Sequence, residues 1–200
     1  RFPLRPEAGV RHTPLRILYA GQLHAYKGVH TLIAALSGLS NQAGVPPFTL
    51  TVVGKGPEDY TKSLQDAAAK ANFPADFRGL VPHAEMPSVY QEHDVFVFPS
   101  IWEEPFGLTH LEAMASGLPV VSTANGGQGE FLVDEENALT FPPEDVAVLA
   151  RKLSRLMTDD MLYVRLTQAG RTTAVQGFAF SRYVDELEAL LSQAISAGNR

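Results

Sequence analysis

The chain has 200 residues, 45% of them hydrophobic, and a formal net charge of −6 at pH 7. This length predicts one domain with a substantial core, and the negative charge argues against general binding of nucleic acid or anionic membranes. No cysteine is present, which excludes disulfides, thiolate catalysis and cysteine-ligated zinc.

The first 14 residues contain no apolar segment of the kind found in signal peptides. We interpret residues 1–14 as a linker or extended lead-in and residues 15–200 as the functional domain. No apolar run reaches the roughly 18 residues that a membrane-spanning helix needs. We therefore expect a cytoplasmic protein.

Short apolar runs alternate with helical patterns along most of the chain. They predict strands at residues 15–20, 48–53, 75–80, 94–98, 118–122 and 137–141. The helical patterns occupy residues 29–39, 58–71, 85–91, 108–116, 144–157, 160–175 and 183–195, with a helical turn at 130–133. This order predicts an α/β fold, a Rossmann-like open parallel sheet with helices on both faces.

In such a sheet, right-handed crossovers bring every strand-to-helix loop to the same edge, where ligands bind. The loop at residues 21–28 has a glycine at each end, and Lys27 stands beside the start of a helix. A lysine and a helix N-terminus together suit a phosphate, but from this loop alone an ordinary surface lysine beside a turn is favoured. The loop Gly54-Lys55-Gly56 is by itself expected to be structural.

Glu104 and Glu112 are separated by seven residues at a junction between a loop and a helix. Both carboxylates can face one cleft, where they would accept hydrogen bonds from sugar hydroxyls. The amides of Gly107, Leu108 and Thr109 would meet a diphosphate at the positive end of the helix. Two solvated surface acids are the alternative, but the apolar remainder of this helix argues against it.

The histidines, the serines and Trp102 give no clear sign of a further site. The six histidines lack metal-binding spacing such as His-Glu-x-x-His, so we expect no metal site. A Gly-x-Ser-x-Gly elbow is absent from the sequence. Trp102 fits a cleft lining and a half-buried loop aromatic equally well.

Five segments carry a family resemblance: YAGQLHAYKGVHTLIAAL, LTVVGKGP, FRGLVPHAEMPSVYQEHDVFVFPS, EPFGLTHLEAMASGLPVVST and GGQGEFLVDEENALTFPPED. In this order they resemble the C-terminal domain of retaining glycosyltransferases of the GT-B fold, family 4. The resemblance covers about residues 15–191. The fourth segment, with its two glutamates, is specific, whereas each glycine loop alone is not.

The resemblance implies a role for each residue of the shared edge. Lys27 would bind the donor diphosphate, Glu104 would contact the donor sugar at the reacting centre, and these two would be the catalytic residues. Glu112 would bind the ribose hydroxyls. Gln22 stands where the family often has an arginine, so one phosphate contact is left open. The implied donor-binding set is Gly21, Gln22, Lys27, Gly54, Gly79, Leu80, Val81, Phe106, Gly107, Leu108, Thr109 and Glu112.

The resemblance also implies a reaction, in which a sugar passes with retention from a nucleotide-diphosphate sugar to a hydroxyl acceptor, a sugar or a lipid-linked sugar. No cofactor and no metal are expected, because Lys27 and the helix end would carry the diphosphate charge and no Asp-x-Asp motif appears. No nucleic-acid partner is expected.

The family's N-terminal acceptor domain has no counterpart here. The chain is therefore expected to be the donor-binding half of a longer enzyme and to be inactive alone. Any association with a membrane surface would come through the missing domain.

The sequence is also compatible with two other classes of protein. One is another GT-B enzyme, such as a nucleotide-sugar epimerase, which would share the fold and the nucleotide site. The other is a non-catalytic nucleotide-binding or response-regulator-like domain. A receiver domain would carry clustered acids after its first strand, whereas this chain has Gly21-Gln22-Leu23-His24 there.

Overall fold

The computed structural model describes residues 2–178 and 180–198, without the side chains of residues 180, 181, 186 and 196–198. Its strands are β1 Leu15–Ala20, β2 Phe48–Val53, β3 Ala75–Gly79, β4 Val95–Phe98, β5 Val120–Ser122 and β6 Leu139–Thr140. Its α-helices are α1 Val29–Ser40, α2 Glu58–Lys70, α3 Met86–Gln91, α4 Leu108–Ala115, α5 Val146–Thr158, α6 Asp160–Thr172 and α7 Phe180–Gly198. Short 3-10 turns lie at Ala25–Lys27 and Gly127–Glu130.

The six strands form one parallel sheet in the order β3-β2-β1-β4-β5-β6. The predicted fold class, a Rossmann-like open parallel sheet, is confirmed. The strand order reverses between β1 and β4, and this reversal opens a crevice at the carboxyl ends of the two strands. The loops that follow β1 and β4 therefore form the two sides of the crevice.

The two central strands explain why the sheet forms where it does. All four residues of β4 are buried, as are five of the six residues of β1. They pair through Ile17 with Val95 and Leu18 with Phe96, and helices cover both faces. Both strands carry apolar side chains on both of their faces. Each such side chain contributes about 1.5–3 kcal/mol when it is fully buried, which favours a central position in the sheet.

Several predicted helical segments differ from the structure in their bounds, and two of these differences have a physical cause. The turn predicted at 130–133 is wrong, because the 3-10 turn starts earlier, where the Gly127 amide donates to the Glu104 carbonyl at 2.7 Å. The helix predicted at 160–175 ends at Thr172 and continues as a π-helical segment, Thr173–Gly177. There Thr173 Oγ1 donates to the Ala169 carbonyl and contacts Asn137 Nδ2 at 3.0 Å, which disturbs the regular α-helical pattern.

The lead-in is attached to the amino end of β4 by a buried ion pair. Arg5, 1% exposed, places Nη1 2.5 Å from Asp94 Oδ1 and also donates to Tyr163 Oη and the His93 carbonyl. The second oxygen of Asp94 accepts from the Arg16 amide at 2.9 Å. Because both charges are paired and hydrogen-bonded, this network orders the segment that precedes β1.

None of the helices in the described part of the chain is both long enough and apolar enough to span a membrane.

Candidate functional site

The loop after β1 is held against the loop after β4. The Tyr26 carbonyl accepts from the amides of Ile101 and Trp102 at 2.8 and 3.0 Å. Gly28 has φ +69° and packs on the Pro99 carbonyl so closely that a β-carbon has no room. Only glycine combines that backbone conformation with that approach. This contact turns Lys27 toward the crevice.

Lys27 and Glu104, the two predicted catalytic residues, form an ion pair in the crevice. Lys27 Nζ lies 2.5 Å from Glu104 Oε1, and Ser100 Oγ donates to the same oxygen at 2.6 Å. The two side chains are only 12% and 11% exposed, and Lys27 Nζ also lies 5.8 Å from the centre of the Phe98 ring. Low exposure strengthens the attraction and leaves little freedom of position.

The glycine-rich loop after β5 packs against the backbone around Glu104. Gly126 and Gly127 pack against the backbone of Glu104 and Pro105, where a β-carbon would collide. Asn125 Nδ2 adds a hydrogen bond of 2.8 Å to the Ile101 carbonyl. The carboxylate is therefore fixed by its backbone as well as by Lys27 and Ser100.

The N-terminus of α4 opens to the same crevice. Gly107 precedes the helix with φ +100°, and no side chain among the described residues caps this end. Leu108, the first residue of the helix, is 66% exposed, so this end of α4 lies at the surface. Uncapped amides and the helix dipole together make this end attractive to an anion.

A buried histidine supports this helix end. His110 Nε2 lies 2.8 Å from Ser122 Oγ. The His110 ring packs edge-on against Phe98, with ring centres 4.8 Å apart. Because Ser122 Oγ donates to backbone carbonyls, the Nε2 atom is the donor in this pair. Complete burial lowers the pKa of His110 to about 4, so the ring is neutral at pH 7.

Glu112 lies one turn inside α4 and is held by two side chains. Tyr90 Oη donates to Oε2 at 2.9 Å, and His83 Nε2 lies 3.1 Å from Oε1. Burial, and then the nearby Glu112 carboxylate, raise the pKa of Tyr90 well above its ordinary value. Tyr90 is therefore a protonated donor at all physiological pH values, and Glu112 keeps part of its hydrogen-bonding capacity free.

The loops after β2 and β3 adjoin the loop after β1. Gly54, with φ +140°, packs on the Gly21 carbonyl, and its amide donates to the Gly79 carbonyl at 2.8 Å. Gly54 thus has a structural reason for being glycine, in addition to its predicted donor-binding role. Leu80, beyond Gly79, is 68% exposed, and Val81 is half-buried. A cleft of about 700 Å³ lies beside these loops, against α2.

Gln22 and Phe106 occupy more peripheral positions. The Gln22 carbonyl accepts from buried Tyr19 Oη at 2.8 Å, and its side chain is exposed, with Oε1 3.3 Å from Tyr26 Oη. Phe106 packs with Phe131 and Phe178, with ring centres 5.8 and 5.7 Å away. The fold thus gathers the predicted donor-binding residues along one edge, and Lys27 and Glu104 form a direct side-chain contact there.

The predicted site residues do not include three side chains that hold the two glutamates: Tyr90, His83 and Ser100. A signal existed for Tyr90, which carries a polar hydroxyl on the buried face of a short helix and so needs a partner. Ser100 directly follows β4, at the edge where site residues gather. No pattern in the sequence singles out His83. In the part of the chain that the structure describes, no cluster of three or more histidine, aspartate or glutamate side chains could hold a metal ion.

The strand order and the crevice define a Rossmann-like domain of the kind that forms one half of a GT-B protein. Residues 1–173 match the family described as glycosyl transferases group 1, and the chain belongs to that family. The family membership and fold expected from the sequence are thereby confirmed.

Curated relatives support this assignment. The chain is 34% identical over 174 residues to a glycogen synthase of Mycobacterium tuberculosis (strain CDC 1551 / Oshkosh), covering 87% of this chain and 40% of the relative. It is 32% identical to a D-inositol 3-phosphate glycosyltransferase of Salinispora arenicola, covering 90% of this chain and 42% of the relative. The chain therefore spans about 40% of the length of these relatives.

Solved structures show the same fold. Anabaena Alr3699/HepE, in complex with UDP and glucose, is similar with a TM-score of 0.79 and 25% identity, over 89% of this chain and 48% of that chain. The C-terminal domain of the group 1 glycosyl transferase LpcC from Francisella tularensis has a TM-score of 0.76 and 27% identity. It is covered to 95%, and this chain to 88%.

Proposed function

We propose that this domain binds the nucleotide-sugar donor of a retaining glycosyltransferase. The observation that carries the proposal is the ion pair of Lys27 and Glu104, 2.5 Å apart, beside the uncapped N-terminus of α4 in the crevice between β1 and β4. This arrangement puts a cation, a carboxylate and free amides where open α/β sheets bind ligands. The complex of Alr3699/HepE with UDP and glucose supports a ligand of this type.

The diphosphate would lie between Lys27 and the first amides of α4. When the bond from the sugar to the diphosphate breaks, the leaving group gains negative charge. Lys27 and the amides of Gly107 and Leu108 would stabilise that charge from fixed positions, which is the most effective form of electrostatic catalysis. We propose that these groups act without a metal ion, since the cation and the helix end already supply positive charge.

Glu104 and Glu112 would divide the recognition of the sugar and the ribose. Glu104 reaches the crevice with one oxygen held by Lys27 and Ser100, which leaves its other oxygen available to the donor sugar. Glu112 would accept hydrogen bonds from the ribose hydroxyls. The base would rest on the loop that contains Leu80 and Val81, whose apolar side chains offer a stacking surface.

The acceptor would be bound by a second domain. The relatives are more than twice as long as this chain, so the remaining part can supply an acceptor site and further catalytic groups. We propose that the isolated chain binds donor but transfers no sugar. The hydroxyl acceptor, a sugar or a lipid-linked sugar, and the cytoplasmic location stay predictions.

Titration calorimetry of the chain with UDP, GDP and ADP tests the proposal, with inorganic phosphate as a control. We expect one of the nucleotides to bind, and Lys27→Ala to weaken it by about tenfold or more, because a charge-assisted contact contributes ~1.5–3 kcal/mol. Lys70→Ala is the matched control, since this exposed lysine ends α2 at the opposite edge of the sheet. Absence of binding at millimolar nucleotide, or equal affinity in Lys27→Ala, would contradict the proposal.

The stereochemical part of the proposal needs the longer enzyme. Product analysis by NMR should show the anomeric configuration of the donor kept in the product. An inverted product would rule out the retaining mechanism while leaving donor binding untouched.

A further inference from the structure

We infer that Tyr90 is a positioning residue that orients the Glu112 carboxylate toward the ribose hydroxyls of the donor, and that Phe2 of the lead-in holds Tyr90 in place. The inference rests on the proposed function, because it gives Glu112 a ribose to bind. It adds two residues that touch no part of the donor.

The first step is the contact between α3 and α4. Tyr90, which is fully buried, points its hydroxyl at Glu112 Oε2 over 2.9 Å. This hydroxyl also makes a longer contact with the Thr109 carbonyl, at 3.5 Å. A hydrogen bond to a carboxylate from a buried, rigid ring restricts the rotation of the carboxylate plane. The raised pKa of Tyr90 is consistent with this role, because it keeps the proton on the tyrosine hydroxyl.

The second step is the capacity that Glu112 has left. A carboxylate has about four acceptor positions, two on each oxygen. Tyr90 uses one on Oε2, and His83 uses one on Oε1 at 3.1 Å. Counting the described residues alone, one position on each oxygen stays free, and two neighbouring hydroxyls of a ribose would fill these positions. Without Tyr90 the carboxylate, 15% exposed, could rotate away from this pattern.

The third step is the packing that supports Tyr90 and His83, the two side chains in contact with the Glu112 carboxylate. Phe2 packs edge-on against both Tyr90 and His83, with ring centres 5.7 and 5.8 Å away. Phe96 of β4 contacts Tyr90 from the sheet, with ring centres 6.1 Å apart. The Tyr90 ring is therefore enclosed by Phe2 and Phe96, and one residue of the lead-in touches both hydrogen-bonding partners of Glu112.

The test compares two ligands that differ only in the ribose hydroxyls. The tightest of UDP, GDP and ADP is titrated into the chain together with its 2′,3′-dideoxy analogue. Tyr90→Phe keeps the ring and removes the hydroxyl, and Phe2→Ala removes the support. Tyr163→Phe is the matched control, because this buried tyrosine also loses a hydrogen-bonded hydroxyl but lies at the amino end of β4.

We expect wild-type protein to prefer the ribose form, and Tyr90→Phe to reduce that preference by about tenfold with unchanged affinity for the dideoxy form. Phe2→Ala should reduce the preference less, and Tyr163→Phe should leave it intact. A general loss of structure would weaken both ligands equally, so the ratio separates positioning from stability.

Two results overturn the inference, and a third overturns its second part. One is an unchanged preference in Tyr90→Phe; another is a wild type that binds both forms equally. An unchanged preference in Phe2→Ala removes the role of the lead-in alone. If wild-type protein binds no nucleoside diphosphate at all, the proposed function itself fails, which is a different outcome from either.

Discussion

Lys27 and Glu104 are separated by 77 positions in the chain, yet their side chains meet at 2.5 Å where the strand order of the sheet reverses. The parallel crossovers bring the loops after β1 and β4 side by side, and the glycine contact at Gly28 closes the remaining gap. A cation placed in this way has a partner before any ligand arrives. The pair therefore links stability to the proposed activity.

A double-mutant cycle on Lys27 and Glu104 measures how much their ion pair contributes to stability. Glu104→Gln or Lys27→Met alone leaves one largely buried charge unpaired, and each should lower the free energy of unfolding by about 3 kcal/mol. The double variant should be more stable than either single variant, because no unpaired charge is left. Urea denaturation measures all four proteins.

The same variants in the longer enzyme should all lose sugar transfer, including the double variant. A double variant that is as unstable as the sum of the two single changes would show that the residues act independently. Near wild-type turnover in Glu104→Gln would remove Glu104 from the proposed chemistry.

Gly107 should resist substitution for two reasons. Its φ of +100° strains an alanine, and a β-carbon would lie 2.7 Å from His110 Nδ1. Gly107→Ala should therefore cost about 2 kcal/mol of stability and weaken nucleotide binding by displacing the first turn of α4. Thermal denaturation and calorimetry measure the two effects.

Gly38→Ala is the control for Gly107→Ala. Gly38 lies in α1, is exposed, and has open space around the position of a β-carbon. This change should raise stability by up to about 1 kcal/mol and leave nucleotide binding unchanged. A Gly107→Ala protein with wild-type stability and affinity would show that the helix end tolerates a side chain.

His110 predicts a loss of stability in mild acid. Its pKa is lowered to about 4 by burial, whereas the unfolded chain should protonate it near pH 6.5. The unfolded state therefore binds more protons between these values, and stability present above pH 6.5 is lost as the pH falls toward 4.

Between pH 7 and pH 5 this residue alone should account for about 2 kcal/mol of the loss. His93, whose pKa is also lowered by burial, contributes in the same direction. In His110→Asn the fall between the two pH values should be smaller by that amount. An unchanged pH profile in the variant would mean that His110 accepts a proton in the folded protein.

Asp94 should be among the most sensitive polar positions in the protein. Asp94→Asn leaves the buried Arg5 guanidinium without its charge partner and should cost about 4 kcal/mol in urea denaturation. Asp66→Asn removes an exposed pair with Lys62, 3.5 Å apart, and should change stability by less than about 0.5 kcal/mol. Similar small effects in both variants would show that the lead-in is not held by this ion pair.

The sequence was sufficient for the strands and helices because they depend on local patterns. β1 and β2 begin and end at the predicted residues, since apolar runs bounded by turns specify buried strands. The turn after β5 was misplaced because its start depends on a hydrogen bond to Glu104, a contact that no local pattern encodes.

The site was predictable only as a set of loops at one edge. The sequence predicts Lys27, Glu104 and Glu112 as site residues, but the contact of Lys27 with Glu104 depends on how closely two loops approach. The support of Glu112 by Tyr90, and the packing of Phe2 on Tyr90, join three distant segments. Such contacts follow from the packed fold and leave no periodic trace in the chain.

The most direct test of the account is to map nucleotide binding onto the amides of the chain by ¹H–¹⁵N NMR. We add the tightest of UDP, GDP and ADP to labelled protein and follow the shift of each assigned resonance. We expect the largest shifts at Gly107, Leu108 and Thr109, with further shifts at Gly21 and Gln22. Shifts confined to the side of the cleft formed by α2, around Thr61 and Gln65, or none at millimolar nucleotide, would contradict this binding site.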